Sequence, residues 1–164
     1  MLLLRSIFFA LLLPGSVTVL IPYLLISSRA ESGFAPQEPF HYLGLPLIAI
    51  GASGLLWCIW DFFSTGRGTL AFVDPPKYLV VRGLYRYVRN PMYVSAMTIM
   101  IGEAIFFRSV AVLAEAGIFF VGAHLFVTLY EEPVLRRMFG AAYERYTQAV
   151  GRWVPRLPGP MSEG

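Results

Sequence analysis

Three clusters of polar residues interrupt a chain that is otherwise apolar. The first is Gly83-Leu84-Tyr85-Arg86-Tyr87-Val88-Arg89-Asn90-Pro91-Met92-Tyr93. Pro91 suits the first turn of a helix, where its missing N–H costs nothing, and Asn90 suits the cap before it. Free N–H groups at such a helix start, with Arg89 beside them, make a site for a carboxylate or phosphate. The same residues also suit a capped membrane helix with snorkelling arginines and interfacial tyrosines. The second cluster is Glu131-Glu132-Pro133. Adjacent carboxylates repel one another and need a cation, whether an arginine such as Arg89 or Arg136, a metal or a cationic ligand. The third, Phe139-Gly140-x-x-Tyr143-x-x-Tyr146 and then Val150-Gly151-Arg152-Trp153-Val154-Pro155, mixes aromatics with base and reads alone as an interfacial tail.

The elements that must position these clusters are membrane helices. Of the 164 residues, 57% are hydrophobic and only 14% charged, where soluble domains carry about 25% charged residues. Mean hydropathy is +0.63. Spanning a bilayer takes roughly 20 mostly apolar residues, and four stretches qualify: 2–26, 42–63, 91–107 and 110–130. The expected fold is an all-α integral membrane protein, a single domain of about four transmembrane helices with a C-terminal interfacial helix. Pro14-Gly15 and Pro22 predict a kink in the first span. That span is longer than the roughly 7–15 apolar residues of a secretion signal and reads as retained. Arg108-Ser109 alone separates the last two spans, which predicts a tight hairpin. The loop 64–90 is rich in Gly and Pro and reads as semi-rigid. In the tail 131–164, Leu135, Met138, Phe139, Ala142, Tyr146 and Val150 lie at helical spacing, with a break near Gly140.

Orientation follows from the basic residues. Eleven of them, Arg5, Arg67, Lys77, Arg82, Arg86, Arg89, Arg136, Arg137, Arg145, Arg152 and Arg156, fall on one side, against Arg29 and Arg108 on the other. The positive-inside rule puts loop 64–90, tail 131–164 and both termini in the cytosol. The net charge of +3 then suits anionic lipid head groups, and no nucleic acid is expected as a partner. Cys58 is the single cysteine, so no intrachain disulfide forms. His41 and His124 fall on opposite expected sides of the membrane, and no metal site is expected. No glycine-rich strand–turn–helix fingerprint is present either.

Taken together, the clusters resemble the isoprenylcysteine carboxyl methyltransferase and phospholipid methyltransferase superfamily of small membrane enzymes. The resemblance is carried by Gly66-x-Gly68-Thr69, Asp74-Pro75-Pro76, Leu79-Val80-x-x-Gly83-x-Tyr85, Arg89-Asn90-Pro91-x-Tyr93, Glu131-Glu132-x-x-Leu135, Phe139-Gly140-x-x-Tyr143 and Val150-x-Arg152-x-x-Pro155. It implies an S-adenosylmethionine-dependent methyltransferase acting at the cytosolic membrane face. The implied cofactor site comprises Gly83, Tyr85, Arg89, Asn90, Pro91, Tyr93, Glu131 and Glu132, with Arg89, Asn90 and Glu132 nearest the chemistry. Asn90 stands where the family often has His, and an amide is no general base near pH 7.

The implied acceptor is a lipid or lipid-modified molecule: a phospholipid amine, a prenylcysteine carboxylate, or a small apolar thiol or amine. Two other readings stay open, a non-catalytic membrane scaffold and a nicotinamide-dependent reductase. The reductase needs more than about four spans to enclose a sterol. Besides membrane lipids, a homodimer is compatible with the small size. Glu103, Glu115 and His124 lie inside or near spans, where ionisable groups are functional candidates. Glu103 is expected to pair with Arg108, and His124 to approach the cofactor site.

Overall fold

The computed structural model describes residues 15–27, 39–65, 79 and 81–156. Among these, all regular elements are helical, and the β contact is an isolated parallel bridge between Val88 and Gly151. Helix α1 (Ile21–Ser27) follows a π turn at Ser16–Leu20, and α2 (Gly44–Thr65) follows a 3-10 turn at Pro39–Leu43. A second 3-10 turn, Gly83–Arg86, leads into α3 (Pro91–Phe106). Helix α4 (Val110–Phe126) passes through a π turn, Val127–Glu131, into α5 (Glu132–Phe139), and α6 (Ala141–Ala149) completes the order.

Two stretches, Pro39–Asp61 and Val110–Phe139, are long and apolar enough to cross a membrane. The apolar helices Ser16–Ser27 and Pro91–Phe106 are shorter. At 1.5 Å per residue, α3 is about 24 Å long against a hydrocarbon core of about 30 Å. The expected third span is therefore short, and residues 2–14 of the expected first span lie outside the described ones.

Helix α3 is the centre of the bundle. Ser95, Ala96, Ile99, Met100, Gly102 and Ala104 are buried along it. It meets α2 so closely that a Cβ on Gly44 would collide with the Gly102 carbonyl. Small residues at such contacts let helix backbones approach where lipid gives no hydrophobic drive. The outer faces of α2, of α4 and of the π turn after it present Ile50, Leu56, Trp60, Val110, Ile118 and Leu129 outward. So large an apolar surface is suited to hydrocarbon, not water.

The hairpin between α3 and α4 turns at Phe107, Arg108 and Ser109, and the Ser109 hydroxyl accepts from the Val112 N–H at 3.3 Å. Arg108 adopts φ +51° there and points outward. The expected Glu103–Arg108 pair is accordingly not formed. Glu103 Oε2 and both Glu115 carboxyl oxygens are buried without a hydrogen-bond partner.

Both π turns have one cause. Pro22 and Pro133 carry no N–H, so the turn before each cannot continue the i→i−4 ladder and rewinds by one residue. The Ile21 N–H bonds Ser16 O, and the Glu132 N–H bonds Val127 O, each five residues back. Pro22, one of the breaks expected in the first span, sits just after such a turn, and Pro14 lies outside the described residues. The tail also departs from expectation. Its first helix is the continuation of the fourth span, and Gly140 at φ +50° turns the chain into α6. Tyr143, Tyr146 and Val150 pack there with Leu79, Val81, Leu135 and Phe139. Met138 and Ala142 leave the expected apolar face, because the turn at Gly140 shifts the helical phase between the two halves.

Candidate functional site

The site forms where the loop before α3, the π turn before α5 and the chain after α6 meet. Residues 150–156 run back alongside 87–90. The Arg89 N–H donates to Gly151 O at 2.8 Å and the Arg156 N–H to Tyr87 O at 2.8 Å. Asn90 does not cap α3 with its side chain. Its Nδ2 donates instead to Arg152 O at 3.1 Å, holding the tail against the helix start. An amide suits that task because it donates without carrying charge.

At the centre sits Glu132. Arg152 Nε and Nη2 grip its two oxygens at 2.6 and 3.0 Å. Arg89 Nη1 stands 3.1 Å from Oε1, with the Arg89 and Glu132 side chains only 11% and 7% exposed. Two cations thus share one buried anion, and the cluster carries a surplus positive charge. Arg89 Nε is buried and makes no hydrogen bond, and Nη1 meets Glu132 as an ion pair without hydrogen-bond alignment. Buried guanidinium donors without acceptors are costly unless an anion supplies them. Hydrogen bonding to Glu132 pushes the Arg152 guanidinium pKa up. Arg136, the other expected partner of the glutamates, pairs with Glu144 at 3.3 Å on the surface.

Glu131 is placed differently from its neighbour, one position back in the π turn. Tyr93 donates its hydroxyl to Glu131 Oε2 at 3.4 Å. Tyr85 stands on the 3-10 turn Gly83–Arg86. Burial pushes its phenol pKa well up, with Cys58, Glu131, Tyr146 and Asp61 adding to the shift, so it stays a neutral donor. Tyr146 donates to the Tyr85 carbonyl at 2.7 Å. The Tyr143 phenol is raised by burial and Glu132 and pulled partly back by Arg89, which places it beside that guanidinium.

Trp153 closes the far side. Its Nε1 donates to His124 Nδ1 at 3.1 Å, and its ring meets Tyr93 and Phe120 edge-on at 6.2 and 5.4 Å. His124 therefore reaches the site by anchoring the tail. The structure brings together Tyr85, Arg89, Asn90, Pro91, Tyr93, Glu131 and Glu132. Gly83 lies apart, against Asp61 and Trp57. Sequence reasoning missed Tyr143, Tyr146, Arg152 and Trp153. The Tyr-x-x-Tyr spacing and the arginine were visible, but no local pattern says that this tail folds back onto residue 89.

Among the described residues, lipid-facing helices carry a buried, cation-rich polar cluster where loop and tail meet, an arrangement of an all-α membrane protein. The chain belongs to the phospholipid methyltransferase family, whose profile matches residues 39–142. The matched segment holds every site residue expected from the sequence and ends just before Tyr143, Tyr146, Arg152 and Trp153. No curated protein and no solved structure matches the chain with significance.

Proposed function

We propose that the chain transfers a methyl group from S-adenosylmethionine to a lipid acceptor at the cytosolic face of a membrane, with both termini on that side. The observation that carries this reading is the buried Arg89–Glu132–Arg152 cluster, with surplus positive charge and a buried Arg89 Nε that has no partner. Such a cluster fits a carboxylate, and the cofactor's methionine end carries one. When bound, S-adenosylmethionine supplies an electrophilic methyl group on a sulfonium.

The chain's own residues then have separable tasks. Arg89 receives the carboxylate, with the N–H groups at the start of α3 beside it. Glu132 and Arg152 hold the Arg89 guanidinium in place. Glu131, bonded to Tyr93 but free of arginine, takes the ammonium or the ribose hydroxyls. Tyr85 and Tyr93 offer ring faces to the sulfonium, a cation–π contact worth about 0.5–2 kcal/mol. Asn90 and His124 position the tail. No general base is needed at Asn90, because alignment and exclusion of water carry most of a methyl displacement.

The test uses the protein in lipid nanodiscs with methyl-labelled S-adenosylmethionine. Cofactor binding and label in the lipid fraction are expected for the wild type and for Arg136→Gln. Both fall at least 100-fold in Arg89→Gln. Equal binding by Arg89→Gln, or no binding by the wild type, refutes the reading.

A further inference from the structure

The contact between α4 and the tail fixes the protonation state of His124. Trp153 Nε1 stands 3.1 Å from His124 Nδ1. An indole N–H only donates, so Nδ1 must be the bare, accepting nitrogen of a neutral ring, and the ring proton sits on Nε2. Packed rings surround the pair. The Trp153 ring lies 6.1 Å from the imidazole and 5.4 Å, edge-on, from Phe120, which stands 6.1 Å from His124. An imidazolium carries N–H on both nitrogens. It would turn a donor toward the indole donor, and the contact would be lost.

Nothing nearby offers an imidazolium a partner in exchange. Phe120 comes from α4 itself, and the tail brings Trp153 with Arg152 just before it. From α3 comes Tyr93, one ring beyond Trp153, with its hydroxyl bonded to Glu131. Helix α1, which also packs on α4, has no charged side chain. Among the described residues no carboxylate pairs with His124.

Most other ties of the tail do not titrate. The Arg89 and Arg156 N–H groups and Asn90 Nδ2 all bond backbone carbonyls. Arg152, one residue before Trp153, makes the two-oxygen grip on Glu132. The charge on His124 therefore reaches the site by a short route: from indole, through one peptide unit, to the guanidinium that holds Glu132.

We propose that His124 is a positioning residue that works only as the neutral ring, and that its protonation frees Trp153, loosens the Arg152 grip and lowers occupancy of the candidate cofactor site. The inference rests on the methyltransferase reading above and adds a regulation of that site. The proton comes from water and returns to it. Because the unlatched tail goes with the extra proton, the latch is whole where the ring is neutral and is lost as pH falls.

The experiment measures S-adenosylmethionine affinity in nanodiscs from about pH 8 down to about pH 5, the interval in which histidines change charge. It compares wild type, His124→Asn and His124→Phe. Asparagine offers a carbonyl oxygen in place of Nδ1 and accepts the indole proton without titrating. Expected for the wild type is a loss of roughly three- to tenfold beyond that of His124→Asn, the size of one hydrogen bond. Any titration of Glu131 is common to both and cancels in their ratio. At the upper pH His124→Asn stays within about twofold of wild type, because the amide keeps the bond, and His124→Phe is weak throughout. An equal pH slope in wild type and His124→Asn overturns the proposal, as does His124→Asn binding no better than His124→Phe. The latch is also read without cofactor. Trp57 and Trp60 are the other two tryptophans, and with both replaced by Phe, Trp153 emission should change with pH only where His124 is present. Unchanged emission overturns the proposal. Failure of the wild type to bind cofactor, with that emission change intact, refutes the methyltransferase reading instead.

Discussion

Replacing Glu132 by glutamine removes the one anion that two arginines share. At 3.1 Å and an effective dielectric of roughly 20, the Arg89 contact alone is worth about 5 kcal/mol of Coulomb energy, much of it offset by desolvation. Deleting one partner of a buried pair costs about 3–5 kcal/mol, because the other charge stays buried and uncompensated. Arg152 is 32% exposed and partly screened by water, so the cost should lie near the lower end, about 3 kcal/mol. For a chain of this size that lowers the melting temperature by roughly 6–12 °C. Arg136→Gln is the control, since the Arg136–Glu144 pair is 51% and 50% exposed and worth about 1 kcal/mol or less. Thermal unfolding in a fixed detergent or nanodisc reads both. If Glu132→Gln melted within 2 °C of Arg136→Gln, by the same scaling, the buried triad would not be the element that holds the site together.

Further expectations follow from single contacts. Asn90→Ala leaves the Arg152 carbonyl without its donor and should cost about 1–3 kcal/mol, whereas Asn90→His keeps an N–H and should cost less; paired melting curves decide. Gly83→Ala forces a Cβ into Asp61 Oδ2 at φ +54°, and at least 1–2 kcal/mol of destabilisation by the left-handed backbone term alone is expected in the same assay. His124→Phe retains a ring but loses the bond from Trp153 Nε1. A double-mutant cycle with Trp153→Phe should give a coupling of about 0.5–1.5 kcal/mol, and strict additivity would refute the pairing.

Legibility in the sequence followed the range of the forces involved. The apolar stretches around 42–63, 91–107 and 110–130 were readable because a bilayer imposes length and composition locally. The Arg89 and Glu131-Glu132 clusters were readable as chemistry because their charges have no reason to sit beside spans otherwise. Asn90 occupies the cap position before α3 as expected, but its side chain serves a partner no local rule reveals, Arg152 O, 62 residues away. Arg152 was visible within the Val150-x-Arg152-x-x-Pro155 pattern, but not as a site residue. Only the return of 150–156 along 87–90 gives it Glu132 as a partner.

The π turn at Val127–Glu131 acts as a phase adjuster between two duties of one helix. A regular helix advances about 100° per residue, so the extra residue rotates everything after it relative to the lipid-facing side of α4. Without that offset, keeping Leu125 and Leu129 toward lipid would swing Glu132 away from Arg89 and Arg152. The azimuth of the site is therefore set by Pro133, one residue beyond the glutamates it aims. Removing a residue from 127–131 would leave the span as apolar as before and about as long. It would also point the double glutamate at a different neighbour.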